Sequence, residues 1–512
     1  MTKSARLLVI AAFAIAAGCT VNPVTGKREI SLMSESSEIR MGDENYLPMQ
    51  QSQGGRYDID PALTSYVSGV GHRLAAVSDR ALPYEFVVLN NSVPNAWALP
   101  GGKIAVNRGL LTELNSEAEL AAVLGHEIVH AAARHSARRM ERSALLQGAV
   151  LVTAVATSDS NYGDFALGGA NLAATLLNQS YGRGDELEAD RFGMLYMSRA
   201  GYDPQGAVEL QKTFVRLNED RSTDWLTGLF ASHPPSEDRA RANAEMAATL
   251  PPGGETAEDR FRAAMARTMA AKPAYDAYDE GREALANEQP DLAIEQANNA
   301  IRLLPEESHF YALRGDARIV RKQYEMALTN FNSAIRRRDD FFYYYLQRGL
   351  VLEELDDDEL AAADLQASIT MLPTAPAYFA LGNIAARRGD KAAAVESYKL
   401  VAGGQGEIAE AAAAALVKLD LADNPENYVL KRCDADSNGR LVVSVKNSTS
   451  IAIAGVAISV PYTDNLGTQR RIDRDIAGTI APGQIVSISL GPAPYVAGSP
   501  CHATVVAARV AE

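Results

Sequence analysis

Apolar and polar residues alternate differently in four stretches of the chain. From about residue 22 to 250, short β-like apolar runs are mixed with long stretches of helical period. Glu117 to Arg142 reads as one long helix, with Asn115 or Ser116 placed to cap it and Glu119 in its first turn. Leu145 to Thr157 is a further apolar run. It falls short of the ~18 residues a membrane span needs and reads as a buried core helix. Pro251-Pro252-Gly253-Gly254 breaks this zone, and an Ala- and Arg-rich connector follows.

Beyond it the chain repeats itself. Gly281, Gly315, Gly349 and Gly382 are spaced by 34, 34 and 33 residues, and twelve residues after each sits Ala293, Ala327, Ala361 or Ala394. Pro305 and Pro373 each fall 24 residues after a glycine. This is the tetratricopeptide period, in which small residues let two antiparallel helices approach and proline ends the pair. The alanines are therefore structural, and any recognition would lie on the concave face.

After about residue 428 the period becomes two. Leu441 to Val445, Val456 to Val460, Ile485 to Leu490 and Ala503 to Val506 alternate between Gly, Asn and Pro turns, as in a small β-sandwich. Asp434 to Gly439 imitates the start of a calcium loop, but Val445 stands where a bidentate Glu is needed, so a turn is the better reading.

The N-terminus changes the picture of location. Lys3 and Arg6 precede an apolar run from Leu7 to Ala17, with small residues before Cys19, as in a secretory signal. Ending on Gly18-Cys19, it resembles a bacterial lipoprotein signal, which implies lipid on Cys19; Thr20 rather than Asp after it points to the outer membrane. Cys433 and Cys501 are then left as a pair in an oxidising compartment. A formal charge of −15 argues against nucleic acid as a partner, because phosphate neutralisation needs a dense basic surface.

Candidate chemistry sits in His126-Glu127-Ile128-Val129-His130. Two His four residues apart on a helix converge on one ion, and Glu127 can reach a metal-activated water as general base. A third ligand is required. His135 lies nine residues after His126, on the opposite face of a continuous helix, so a third His close downstream is excluded. Asp185 to Asp190 opens another helical run. If Glu186 ligates, Asp190 lies one turn along the same face and can accept a hydrogen bond from a ligating imidazole; Glu188 points away.

Asn22-Pro23-Val24-Thr25-Gly26, Asn95 to Gly102, His126 to His130, Glu186-x-x-Ala189-Asp190 and Ser232-His233-Pro234 occur in the order of a known family. Across residues 22 to 250 the chain resembles the gluzincin metallopeptidases that include the CAAX prenyl protease, the mitochondrial quality-control peptidase and bacterial envelope peptidases. The resemblance implies one zinc ion per chain on His126, His130 and Glu186, with Glu127 as catalytic base and Asp190 as an orienting or proton-handling partner. It also implies substrate bound as an added strand near Asn95 to Leu99. His233 is left open between an oxyanion donor, an occupant of the open metal position, and a capping or surface His. Arg239 is a second oxyanion candidate. Peptidase followed by repeats is similar in plan to the β-barrel-assembly-enhancing type of envelope protease, whereas the β-rich tail is not.

The expected fold is multidomain and begins with a lipoprotein-type signal peptide at 1–18. A mainly α zincin-type peptidase domain with a small β-sheet covers 19–250, and a linker covers 251–273. An α-solenoid of tetratricopeptide repeats spans 274–420, and a C-terminal β-sandwich spans 428–512. The expected function is zinc endopeptidase of the periplasm, lipid-anchored at Cys19 to the outer membrane. Unfolded or misassembled envelope proteins would be its substrates, and an outer-membrane assembly complex a partner of the repeats. The rival is a chaperone or adaptor scaffold carrying a latent peptidase.

Overall fold

Helix-forming Ala, Glu, Arg and Leu dominate the chain up to residue 420, and β-branched residues the tail; the structure follows that division. The computed structural model describes residues 19–31, 33–146, 181–220, 233, 237–435, 440–463, 468–490 and 501–511. The expected signal segment 1–18, residues 147–157 of the second apolar run and residues 436–439 of the calcium-like turn lie outside them. Residues 1–351 with 370–372 form one unit; 352–369 with 373–512 form another.

In the first unit, β1 (Cys19–Val21) and β2 (Arg28–Ile30) pair antiparallel across a turn. Two helices follow, α1 (Glu35–Ser52) and α2 (Pro61–Ala75). Next comes a three-stranded sheet of β3 (Glu85–Leu89), β4 (Ala96–Leu99) and β5 (Lys103–Asn107), in the order β3-β5-β4. β3 runs parallel to β5, while β4 is antiparallel to it and forms an edge. The short α3 (Arg108–Leu111) leads to α4 (Glu117–Ala132) and α5 (His135–Leu146). Here the expectation of one helix from Glu117 to Arg142 is corrected. Arg134 adopts a left-handed φ of 63°, which ends α4 and redirects the chain.

The helices α6 (Arg183–Arg199) and α7 (Gln205–Asp220) pack against α4, which is buried along its whole length, and α8 (Glu237–Thr249) packs against α6 and α7. The connector expected at 251–273 is, from Glu258, part of a helix: α9 (Glu258–Ala286) runs without interruption into the first repeat. Phe261, Met265 and Ala271 join the same apolar core as α4, and Arg260 Nη2 donates to Glu117 Oε1 at 2.6 Å. An Ala-rich stretch that can bury one face folds as helix rather than tether.

Four further helices complete this unit: α10 (Pro290–Leu303), α11 (Ser308–Val320), α12 (Tyr324–Arg337) and α13 (Phe342–Glu354), the last extending to the unit's edge. The repeat glycines lie on the first helix of each pair and the alanines on the second; Ala293 and Ala327 are fully buried. A Cβ at Gly315 would come within 2.8 Å of the Phe331 ring, so the spacing of small residues sets how closely the helices pack.

These helices are fastened to the part of the unit before residue 250 by buried polar contacts. Glu307 caps α11, and its Oε2 accepts from Asn90 Nδ2 at 2.9 Å and from the Tyr275 hydroxyl. Arg108 Nε donates to Asn90 Oδ1 at 3.3 Å, and its guanidinium stacks 3.5 Å from the Tyr275 ring centre. Gln51 Nε2 donates to the Asp340 carbonyl at 2.7 Å while its Oε1 accepts from Phe342 N–H at 2.8 Å. His309 lies between the Gly54 carbonyl, 2.9 Å from Nε2, and the Tyr344 hydroxyl. The arrangement is consistent with a neutral ring that donates from Nε2 and accepts at Nδ1.

In the second unit, α14 (Asp358–Met371), α15 (Ala375–Arg387), α16 (Lys391–Ala402) and α17 (Glu407–Asp420) continue the same helix-and-turn rhythm, with Ala361 and Ala394 fully buried. The tail holds β6 (Val429–Ala435), β7 (Leu441–Asn447), β8 (Ile453–Thr463), β9 (Gln469–Ile480), β10 (Ile485–Ser489) and β11 (Thr504–Val510). They form two antiparallel sheets, ordered β10-β7-β6 and β11-β8-β9. Val443 and Val445 of β7 share one apolar cluster with Ile458 and Val460 of β8. Cys433 is bonded to Cys501, with Cα atoms 5.6 Å apart. Among the described residues, no helix is long and apolar enough to cross a membrane.

Burial holds the His309 imidazole down at about 4; Arg338 and Arg282 add to this, and Glu307 and the Gly54 carbonyl oppose it. An unfolded His titrates near 6.5, so between these values the unfolded chain binds more protons. The stability of this arrangement is full above pH 6.5 and is lost as pH falls towards 4, by roughly 2 kcal/mol at pH 5. Urea unfolding at pH 7 and pH 5 should show a loss about that much smaller in His309→Gln than in the unaltered chain.

Candidate metal centre

The His-bearing helix is fixed at both ends. Ser116 Oγ accepts from Glu119 N–H at 3.1 Å, and the Glu119 carboxylate reaches back to Asn115 N–H at 3.1 Å. At the other end, Asn22 Nδ2 donates to the Ala133 carbonyl at 3.3 Å, while its Oδ1 accepts from Val24 and Thr25 N–H. Arg80 Nη1 also donates to the Ala131 carbonyl at 3.3 Å and to Glu38 Oε2 at 2.9 Å. Asn22 thus satisfies the Ala133 carbonyl, which the end of a buried helix leaves open.

α4 and α6 cross where two glycines meet. A Cβ at Gly193 would lie 3.0 Å from His126 N and 3.1 Å from the Gly125 carbonyl carbon, and one at Gly125 would lie 3.1 Å from the Gly193 oxygen. Backbone touches backbone at this point. α6 therefore presents Glu186, in the first turn where a helix favours negative charge, and Asp190, one turn further along, directly to the His pair.

His126, His130, Glu186 and His233 each offer one donor atom, and these lie within 4.8 Å of one another. His126 Nε2 is 2.9 Å from His130 Nε2 and 3.2 Å from His233 Nδ1. Glu186 Oε1 is 2.9 Å from His233 Nδ1 and 3.5 Å from His130 Nε2, and its Oε2 is 3.6 Å from His126 Nε2. Four donors around a tetrahedral zinc lie roughly 3.3–3.5 Å apart, so the set fits that ion in size as well as in chemistry. All four residues are buried.

The supporting groups are charged. Asp190 Oδ1 lies 2.8 Å from His126 Nδ1, and Arg239 donates to both Asp190 oxygens at 2.8 Å and pairs with Glu186 Oε2 at 2.7 Å. Burial raises the Asp190 carboxyl, but Arg239 and His126 outweigh it and hold it below its ordinary value. Burial likewise opposes ionisation of Glu186, and the neighbouring His233, His126 and His130 drive it well below the carboxylate range. Glu127 goes the other way, pushed up by burial more than its neighbours pull it down. Its Oε1 is 3.5 Å from His233 Nε2, and its Oε2 is buried with no hydrogen-bond partner among the described residues. A cavity beside Glu127 is lined by Ala96 of the edge strand β4 and by Val123, Met194, Leu210 and Phe214.

Residues 61–247 match Peptidase family M48. The chain is 32% identical over 186 residues to metalloprotease YcaL of Escherichia coli (strain K12), covering 35% of this chain and 70% of that protein. This chain belongs to peptidase family M48. It is also 32% identical over 289 residues to the beta-barrel assembly-enhancing protease of E. coli K12, 55% of this chain and 56% of that one. To the mitochondrial metalloendopeptidase OMA1 of Schizosaccharomyces pombe it is 34% identical over 227 residues, 43% of this chain and 64% of the other. The chain spans about half the length of the curated relatives first matched.

All six residues expected at the site are brought together in this M48 chain. Arg239, the second oxyanion candidate, pairs with Glu186 and Asp190 beside the cluster. His135 was expected on the far side of a continuous helix, yet the break at Arg134 turns it beneath His130, with the two Nδ1 atoms 2.8 Å apart. Tyr181 stacks on the His130 ring with centroids 3.9 Å apart, and its hydroxyl lies 2.8 Å from Ser136 Oγ. Only the helix-ending turn could have flagged His135, and an Ala-Arg-His sequence does not announce one; no local signal marks Tyr181. Because the crossing at Gly193 is backbone on backbone, Gly193→Ala should lower stability by about 1–3 kcal/mol. The same variant should weaken metal retention, measured by unfolding with and without added zinc.

Proposed function

We propose that residues 19–250 act as a zinc-dependent endopeptidase. The observation that carries this reading is the convergence of four buried donors with Glu127 adjacent and one of its carboxylate oxygens unengaged. His126, His130 and Glu186 would hold the ion. What zinc supplies when bound is Lewis acidity and a water nucleophilic near neutral pH. Glu127 takes the proton of the attacking water and passes it to the departing amine. Asp190 fixes the His126 ring by accepting from Nδ1–H, and Arg239 keeps Asp190 ionised in a buried site and pairs with Glu186. Substrate adds as a strand to the β4 edge, where main-chain pairing tolerates varied sequences, and a side chain enters the apolar cavity at Ala96 and Val123.

The lipoprotein-type start at Cys19 and the relation to the β-barrel assembly-enhancing protease support a periplasmic site, with the chain anchored to the outer membrane. Misassembled or stalled envelope proteins are the proposed substrates. The proposed architecture is a peptidase, a solenoid of tetratricopeptide repeats that recruits substrate or an assembly complex, and a small β-sandwich of unassigned role. His233 favours a second reading. Its Nδ1 stands among the donor atoms, 2.9 Å from Glu186, where it would take the open metal position and hold the enzyme latent; the repeats would then act as scaffold.

Casein digestion by the mature chain tests both readings. Glu127→Gln should lower the rate by 10²-fold or more with zinc still bound, and a zinc chelator should abolish cleavage. If the unaltered chain is silent, His233→Ala should activate a latched enzyme and leave a scaffold inert. Cleavage that survives Glu127→Gln, in preparations free of other proteases, would overturn the mechanism.

A further inference from the structure

Below the metal cluster, on the side of His130 away from Glu186, lies a row of side chains that no proposed step uses. His135 Nδ1 is 2.8 Å from His130 Nδ1, and His135 Nε2 is 3.1 Å from Glu188 Oε1. Both imidazoles are 1% exposed. Arg138 Nη2 stands 4.0 Å from the same Glu188 oxygen and 3.1 Å from Asp185 Oδ1, which keeps the carboxylate end of the row paired. The left-handed residue Arg134 is what brings His135 here, a conformation that costs about 1–2 kcal/mol for a non-glycine residue.

The protons of this row can be placed in one way only if His130 is to ligate. His130 Nε2 faces the other donors and must present its lone pair, so the ring hydrogen sits on Nδ1. That hydrogen points at His135 Nδ1, which must be the bare nitrogen and accept it. The His135 hydrogen is then on Nε2 and is donated to the Glu188 carboxylate. His126 receives its carboxylate directly from Asp190, whereas His130 receives one through an intervening imidazole. A carboxylate behind a ligating imidazole fixes its tautomer and makes it a stronger ligand.

We infer that His135 and Glu188 are positioning residues for His130, forming a Glu–His–His relay that orients this ligand and strengthens its hold on the metal. The inference rests on the reading that the cluster binds zinc. It explains why a helix in the core is broken one residue before a buried His, and why Glu188, which does not face the cluster, is nevertheless spent on an imidazole.

Zinc affinity of the full mature chain, measured by competition with a chromophoric chelator, tests it alongside thermal unfolding of the metal-free proteins. His135→Leu fills the space without an acceptor and should weaken zinc binding 10–100-fold while metal-free unfolding stays close to that of the unaltered chain. His135→Asn places a carbonyl oxygen where Nδ1 stood and should bind within a few-fold of the unaltered chain. Should the Leu form fail to fold, Glu188→Ala decides, since that side chain is 19% exposed and its removal should cost about tenfold in zinc affinity without unfolding the protein. Equal zinc affinity in the unaltered, Leu and Ala forms, or an Asn form as weak as Leu, overturns the relay and leaves the metal site standing. An unaltered chain that binds no zinc overturns the metal site and the relay with it.

Discussion

Everything at the site depends on how closely α4 approaches α6. Two helices with ordinary side chains at their crossing keep axes 8–10 Å apart, and shorter contact needs residues without a Cβ. Gly125 and Gly193 meet backbone to backbone, which is what lets short carboxylate arms on one helix reach imidazoles on the other. The capping at Ser116 and the Asn22 contact at Ala133 then matter because they fix the rotation and the end of α4, and so where its His pair points.

Close approach concentrates charge. Glu127, Glu186 and Asp190 are each at least nine-tenths out of solvent, and Arg239 contributes one positive charge among them. Burying carboxylates without compensation is costly, and imidazoles that share a proton with Glu186 and Asp190 offset only part of it. A divalent cation at the meeting point of the four donors supplies what the side chains lack. The electrostatics thus reach the same conclusion as the donor geometry, without using the family relationship.

Local order was easier to read in the sequence than tertiary turning. The repeat glycines and alanines were legible because close packing of helix pairs admits little else, and the His pair because ligand spacing is set by the helix period. In the tail, β7 and β8 announced themselves by alternation, since each has one buried face. β6 and β9 did not: both are largely exposed and carry charged residues that hide the period. The turn at Arg134 was illegible for a different reason. It is held by contacts from distant residues, with Asn22 reaching the neighbouring Ala133 carbonyl and Arg134 donating to Met33, and no local pattern encodes them.

The boundary near residue 250 carries the same lesson in the other direction. A Pro/Gly break followed by Ala-rich sequence looks like a tether between independent modules. Instead α9 contributes Phe261 and Met265 to the core of the peptidase part and Arg260 to Glu117 at the start of α4. Further along the chain, Glu307 and Tyr275 hold Asn90, which closes β3 and opens the loop leading to the edge strand β4. The strand proposed to receive substrate is therefore set from one side by the helix bearing the metal ligands and from the other by the first repeats. In a site where a displacement of about 1 Å can cost 10²-fold in rate, such repeats are part of the frame around the catalytic groups as well as a surface for recruitment.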